Sequence, residues 1–98
     1  MRKIETTPAF DKAMKKIKRY ENFKQKKFDK ALEQLVNNQP LDPTYKDHKA
    51  VKHSDREYQG SRIFHAAPDI VVIYRLFDDT VLLQYIGKHN NLFEEFYI

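Results

Sequence analysis

Pro68-Asp69-Ile70-Val71-Val72-Ile73-Tyr74-Arg75-Leu76-Phe77-Asp78-Asp79 is the stretch that decides the fold. Five consecutive apolar residues, Ile70 to Tyr74, are mostly β-branched and bounded by turn formers. That pattern predicts a central strand, Asp69–Phe77, buried on both faces. Asp78-Asp79 marks a tight turn into a further strand, Thr80–Lys88. Ala66-Ala67-Pro68 marks the turn from a preceding one, Tyr58–Ala66. Two short turns in succession make the three strands antiparallel neighbours. Lys3–Thr6 adds a short strand at an edge, and Phe93–Ile98 reads equally as strand, helical turn or tail.

Ahead of the sheet the hydrophobic period changes from two to nearly four. Thr7-Pro8 has the form of an N-cap followed by proline at the first helical position. Phe10, Ala13, Met14 and Ile17 then recur at helical spacing. Asn22 with Gln25 reads as a capping pair for a second helix, whose apolar face is Phe28, Ala31, Leu32 and Leu35 and whose end is set by Gln39-Pro40. The short link at Tyr20-Glu21-Asn22 makes the helices an antiparallel pair. Leu41 to Asp55 is a polar loop that contains Pro43 and directly follows Pro40. The predicted fold is therefore α+β, an N-terminal helix pair on a small antiparallel sheet, with residues 1–98 forming a single domain.

Composition narrows the function. The chain has no cysteine, which removes disulfides, thiolate metal sites and thiol nucleophiles and fits a reducing, cytoplasmic setting. No apolar run approaches the roughly 18 residues of a membrane span. Met1-Arg2-Lys3-Ile4-Glu5 lacks the apolar stretch of a signal peptide. Residues 1–39 hold eleven Lys and Arg against five Asp and Glu, while residues 40–98 hold seven against nine. A basic half with a pI near 9.3 suits an anionic partner and equally an ordinary solvated helix face. Lys15, Lys16 and Arg19 on the first helix are the candidate contacts to RNA or phosphate.

Hairpin geometry gathers ionisable groups at one end of the sheet. If Asp78-Asp79 turns the last hairpin, residues whose numbers sum to about 157 face each other, so Asp69 lies opposite Lys88 and beside His89. The turn at Ala66–Pro68 brings His65 next to Asp69. Histidines can accept and donate protons near neutral pH, and a nearby carboxylate orients a ring and favours its charged form. In RNA cleavage one group takes the proton of a ribose 2′-OH and another protonates the departing 5′-oxygen. Arg62 or Lys88 would offset charge on the phosphate. His and Asp are also metal ligands, but no closely spaced His pair supports a metal site; the expectation is metal-independent catalysis with no cofactor.

Three segments carry a resemblance. They are Leu41-Asp42-Pro43 with Tyr45-Lys46-Asp47-His48, the run Arg62-Ile63-Phe64-His65-Ala66-Ala67-Pro68-Asp69-Ile70-Val71-Val72-Ile73-Tyr74, and Gly87-Lys88-His89-Asn90-Asn91-Leu92-Phe93. In this order they resemble the YafQ-like toxins, a branch of the RelE/ParE superfamily of bacterial type II toxin–antitoxin systems. The resemblance covers most of residues 7–93. It implies a ribosome-dependent endoribonuclease that cuts mRNA in the A site and inhibits translation. It also implies an active site of His48, His65, Asp69 and His89 with Phe93. A small antitoxin, usually a ribbon-helix-helix dimer, would neutralise the toxin, and the complex would bind operator DNA. Departures are Ile63, where an acid often stands, a different stretch from Lys49 to Asp55 that includes His53, and the tail Glu94–Ile98.

Two other readings stay open on sequence. A ParE-like relative poisons DNA gyrase on the same fold without such a histidine set. A basic RNA-binding module would do no chemistry, its histidines being incidental. Neither has a need for His48, His65, Asp69 and His89 together.

Overall fold

The computed structural model describes residues 1–49 and 60–88. Along the chain run β1 (Lys3–Thr6), α1 (Pro8–Ile17), α2 (Gln25–Val36), a 3-10 turn (Pro43–Tyr45), β2 (His48–Lys49), β3 (Arg62–Ala67), β4 (Ile70–Leu76) and β5 (Thr80–Lys88). Two helices thus pack on a five-stranded sheet of order β1-β5-β4-β3-β2. β3, β4 and β5 pair antiparallel as expected and β2 joins them antiparallel at the edge, but β1 lies parallel to β5, so the sheet is mixed. A parallel pair needs a crossover, and here both helices, the 3-10 turn and β2 to β4 lie between the two strands.

β4 is the central strand. Ile70, Val72 and Tyr74 enter the main core under the helices, while Val71 and Ile73 join Ile63 and Tyr85 in a second cluster on the opposite face. The Thr7 side chain caps α1 by accepting from the Phe10 N–H at 3.1 Å, and its hydroxyl donates to the Gln84 carbonyl at 2.7 Å. One residue therefore starts the helix and fastens it to β5. Phe10, Met14 and Ile17 are the buried stripe of α1; Phe28, Ala31 and Leu35 are that of α2. The ring of Phe28 lies 6.4 Å from that of Phe10 and 6.5 Å from that of Phe64, joining both helices to the sheet through stacked aromatics.

Several local expectations are corrected. Asn22 does not cap α2: Lys24 occupies the N-cap without a side-chain bond, and the amide of Asn22 donates to Asp69 instead. Gln25 reaches forward along the helix to Asp29 at 2.8 Å. α2 ends before Gln39-Pro40, at Val36, because Asn38 takes φ +60° and Gln39 N–H returns to the Gln34 carbonyl. The region read as a loop after Leu41 contains the 3-10 turn and the strand that carries His48. Among the described residues no helix is long and apolar enough to cross a membrane.

The hairpin arithmetic holds over half its length. Leu76–Val81, Arg75–Leu82 and Tyr74–Leu83 are pairs whose numbers sum to 157, but from Ile73–Tyr85 to Ile70–Lys88 the sum is 158. Gln84 is the inserted residue of this bulge. Its side chain accepts from Ser61 Oγ and its carbonyl from Thr7, which fixes the irregularity from both sides.

Candidate active site

Cross-strand partners in an antiparallel pair project to the same face. His48 is paired with Ile63, and His65 with Val71. Ile63 and Val71 belong to the cluster away from the helices, so the two histidines stand together on that side of the sheet. Their ring centroids are 5.9 Å apart. Both are half-buried, close enough to act on one substrate group and open enough to receive it.

The backbone before His48 is tightly specified. Asp42 receives the Thr44 N–H at 2.9 Å and so caps the 3-10 turn. Its carboxyl is held below the usual range chiefly by that backbone bond. Buried Tyr45 packs edge-on to Phe64, and its hydroxyl donates to the Lys27 carbonyl at 2.8 Å. Lys46 then adopts φ +50°, a left-handed conformation uncommon for a residue with a side chain. The Lys46 carbonyl lies 2.8 Å from His48 Nδ1. A carbonyl only accepts, so Nδ1 carries the proton, and in the neutral ring Nε2 keeps the lone pair.

Asp47 fastens this segment to the sheet. Arg62 donates to both its oxygens, with Nη2 to Oδ2 at 2.8 Å, and the hydroxyl of fully buried Tyr74 donates to Oδ1 at 2.5 Å. The pair with Asp47 stabilises the Arg62 cation and raises its pKa, while burial and then the bond to Asp47 push the Tyr74 phenol up. Arg62 is thus committed to Asp47 and lies on the Tyr74 side of β3 rather than beside the histidines.

Asp69 begins β4 from the turn after His65. Its Oδ2 is 3.4 Å from the Asn22 amide nitrogen, and its Oδ1 is buried without a hydrogen-bond partner among the described residues. Lys88 is paired with Ile70, a core residue under the helices, and its ammonium lies 4.0 Å from the centre of the Tyr20 ring. The bulge at Gln84 therefore turns Lys88 to the helix side, away from the position opposite Asp69. Lys15, Lys16 and Arg19 are exposed on and just beyond α1. His89 and Phe93, like His53 and the tail, lie outside the described residues.

The pattern reading passes over Asp47, Tyr74, Lys27 and Lys46. Position gives a signal for one of them: Tyr74 ends the apolar run with a hydroxyl that a buried position must satisfy. Among the described residues no three His, Asp or Glu side chains converge as a metal site would require.

Against known proteins, residues 2–94 match the family model of the bacterial toxin of type II toxin–antitoxin system, YafQ. This chain belongs to the YafQ toxin family. It is 34% identical over 94 residues to the mRNA interferase toxin YafQ of Escherichia coli, spanning 94% of this chain and 96% of that protein. YafQ in the E. coli DinJ–YafQ complex superposes with a TM-score of 0.73 and 31% identity, covering 95% of this chain and 99% of that one. A metal-bound toxin from Helicobacter pylori gives a TM-score of 0.75 and 33% identity, covering 95% and 100%. The family match spans the helices, the His48 segment and all of β3 to β5, so the histidine face described above is a face of the YafQ fold.

Proposed function

We propose that this toxin is an endoribonuclease that cuts messenger RNA in the ribosomal A site and so stops translation in the cytoplasm. The observation that carries the reading is the histidine pair, with His48 Nδ1 bound to the Lys46 carbonyl and Nε2 left as acceptor beside His65. The mRNA interferase name of the E. coli relative supports the same chemistry.

In this reading His48 Nε2 takes the proton of the ribose 2′-OH, whose oxygen attacks the adjacent phosphorus. The bond from phosphorus to the 5′-oxygen breaks, His89 protonates that oxygen, and a 2′,3′-cyclic phosphate remains. His65 and Asp69 orient the reacting groups and stabilise the charge that builds up. Phe93 stacks on a base of the message, and Lys15, Lys16 and Arg19 hold ribosomal RNA. The proton transfers need no Lewis acid. A cognate antitoxin neutralises the toxin, as a DinJ–YafQ toxin–antitoxin complex of E. coli supports; from the family resemblance it is a small ribbon-helix-helix protein, and the toxin–antitoxin complex binds operator DNA.

Induction without antitoxin, followed by primer extension on an overexpressed message, tests this reading. New 5′ ends in phase with codons are expected. Intact message with arrested DNA replication would overturn it in favour of gyrase inhibition.

A further inference from the structure

We propose that the hollow between His65, Lys27 and Lys46 is a subsite for a phosphodiester of the message, next to the bond that is cut. The proposal rests on the nuclease reading above and adds to it the groups that grip the strand. The hollow has a volume of about 90 Å³ and is lined by Lys27, Thr44, Lys46, His65, Ala67 and Pro68. That is several times the space one water needs, and so room for a phosphate group.

Lys27, Lys46 and His65 line this space from three separate elements. Lys27 comes from the first turn of α2. Its carbonyl is held by the Tyr45 hydroxyl, and its ammonium lies 5.6 Å from the centre of the Tyr45 ring. Lys46 comes from the segment whose left-handed backbone also binds His48 Nδ1. His65 comes from β3, with its ring 5.9 Å from that of His48. No acid lines the hollow among the described residues. Asp42 does feel Lys27, but that is the smallest influence on its carboxyl, which is engaged by Thr44. A phosphodiester carries the charge that two lysines lining one hollow can bind.

The surroundings give the subsite a direction. A second hollow, of about 270 Å³, shares Lys27, Ala67 and Pro68 with the first and continues to Asn22 and Lys24. A strand whose scissile phosphate sits at the histidine pair can set its neighbouring phosphate between Lys27 and Lys46 and lay the next nucleoside over Ala67 and Pro68. The same loop would then orient the base His48 through its Lys46 carbonyl and hold the strand through its Lys46 ammonium.

The test uses Lys27→Gln, Lys46→Gln and the double variant, with Lys27→Arg as the charge-conserving control and melting temperatures to confirm folding. Binding is measured on short RNA blocked by a 2′-methoxy group at the cleavage site, and cleavage on programmed ribosomes. Each Gln variant should weaken binding and raise KM about tenfold, the loss of one charge-assisted contact. Each should also lower the salt slope of binding by about 0.7, the value for one phosphate on a single strand. A neutral methylphosphonate at the neighbouring linkage should weaken the wild type and leave the double variant unchanged. Equal sensitivity of the two proteins to that linkage, or unaltered affinity and salt slope, would overturn the subsite. So would variants that weaken binding only to message-free ribosomes, since the lysines would then hold ribosomal RNA. If the wild type cuts no RNA, the nuclease reading fails by itself, and the blocked-RNA measurements still decide the subsite.

Discussion

The Tyr74 hydroxyl, at the buried centre of the sheet, donates to Oδ1 of Asp47, the residue immediately before His48. The central strand and the candidate base are therefore joined through one carboxylate, with Arg62 completing the clamp. Removing either partner should cost different amounts. Tyr74→Phe loses one hydrogen bond to a charged group, about 1.5–3 kcal/mol. Asp47→Ala leaves Arg62 partly buried without its counter-ion and should cost about 3 kcal/mol, less whatever solvent recovers around the half-exposed guanidinium. Thermal unfolding of the two variants checks the order; equal melting temperatures for wild type and Asp47→Ala would contradict it.

The clamp also sets an alkaline limit. The Tyr74 phenol ionises above its ordinary value of 10.0 in the folded chain, because burial and the Asp47 bond favour the neutral form. A group whose folded pKa is raised stabilises fully below its unfolded pKa and loses that contribution as pH climbs through the folded one. Stability should therefore fall from about pH 10 upward, and Tyr74→Phe should flatten the fall. A Tyr74→Phe protein with the same alkaline unfolding profile as wild type would place the titrating group elsewhere.

Thr7 makes a comparable junction at the other side of the fold. Its side chain caps α1 and its hydroxyl binds the bulge carbonyl of Gln84. Thr7→Ala should cost about 1–2 kcal/mol from the cap alone. Denaturant titration would read the loss, and hydrogen exchange should quicken at both Phe10 and the β5 bulge. Exchange that quickens at the helix alone would show that the bulge does not depend on Thr7.

These junctions explain how much of the molecule was legible. The apolar run Ile70–Tyr74 and the stripe Phe10, Met14, Ile17 are periodic signals, and they placed the central strand and α1 directly. The bulge at Gln84 has no local signal, because it is held by Ser61 and Thr7, residues remote in sequence. One inserted residue moves every side chain beyond it to the other face, and so Lys88 meets Tyr20 under the helices instead of the histidine face. β2 has two residues, too few to display a period, so pattern alone leaves His48 in a loop. Asn22 has the composition of a cap, but the tertiary bond to Asp69 takes its amide.

The exposed cations Lys15, Lys16 and Arg19 are proposed to hold ribosomal RNA. Neutralising all three together should weaken ribosome association and reduce its salt dependence, as expected when phosphate contacts are lost. Cleavage at saturating ribosome should change little. Unchanged association would assign this face of α1 to solvent or to the antitoxin.

The proposed proton transfers call for no metal, and metal content is directly measurable. Protein purified without affinity metals should carry substoichiometric zinc, manganese and copper by elemental analysis. Stoichiometric metal that is lost on replacing His48 or His65 would instead make those side chains ligands, whether or not the ion takes part in cleavage.

The histidines give the most demanding test. His48→Ala and His65→Ala alter half-buried side chains away from the main core, and His89→Ala alters the residue that follows β5 in sequence, so all three should fold. Each is expected to lose toxicity, and Asp69→Ala should be strongly impaired. Groups that act as one unit lose activity non-additively, so His65→Ala with His89→Ala should be little worse than either alone. His48→Gln offers a finer probe, because an amide can keep the bond to the Lys46 carbonyl yet cannot take a proton from a 2′-OH. It should retain the melting temperature and RNA affinity of the wild type while losing turnover. A folded His48→Gln protein that cuts message at the wild-type rate would remove His48 from the proton transfer and leave His65 and His89 to perform it.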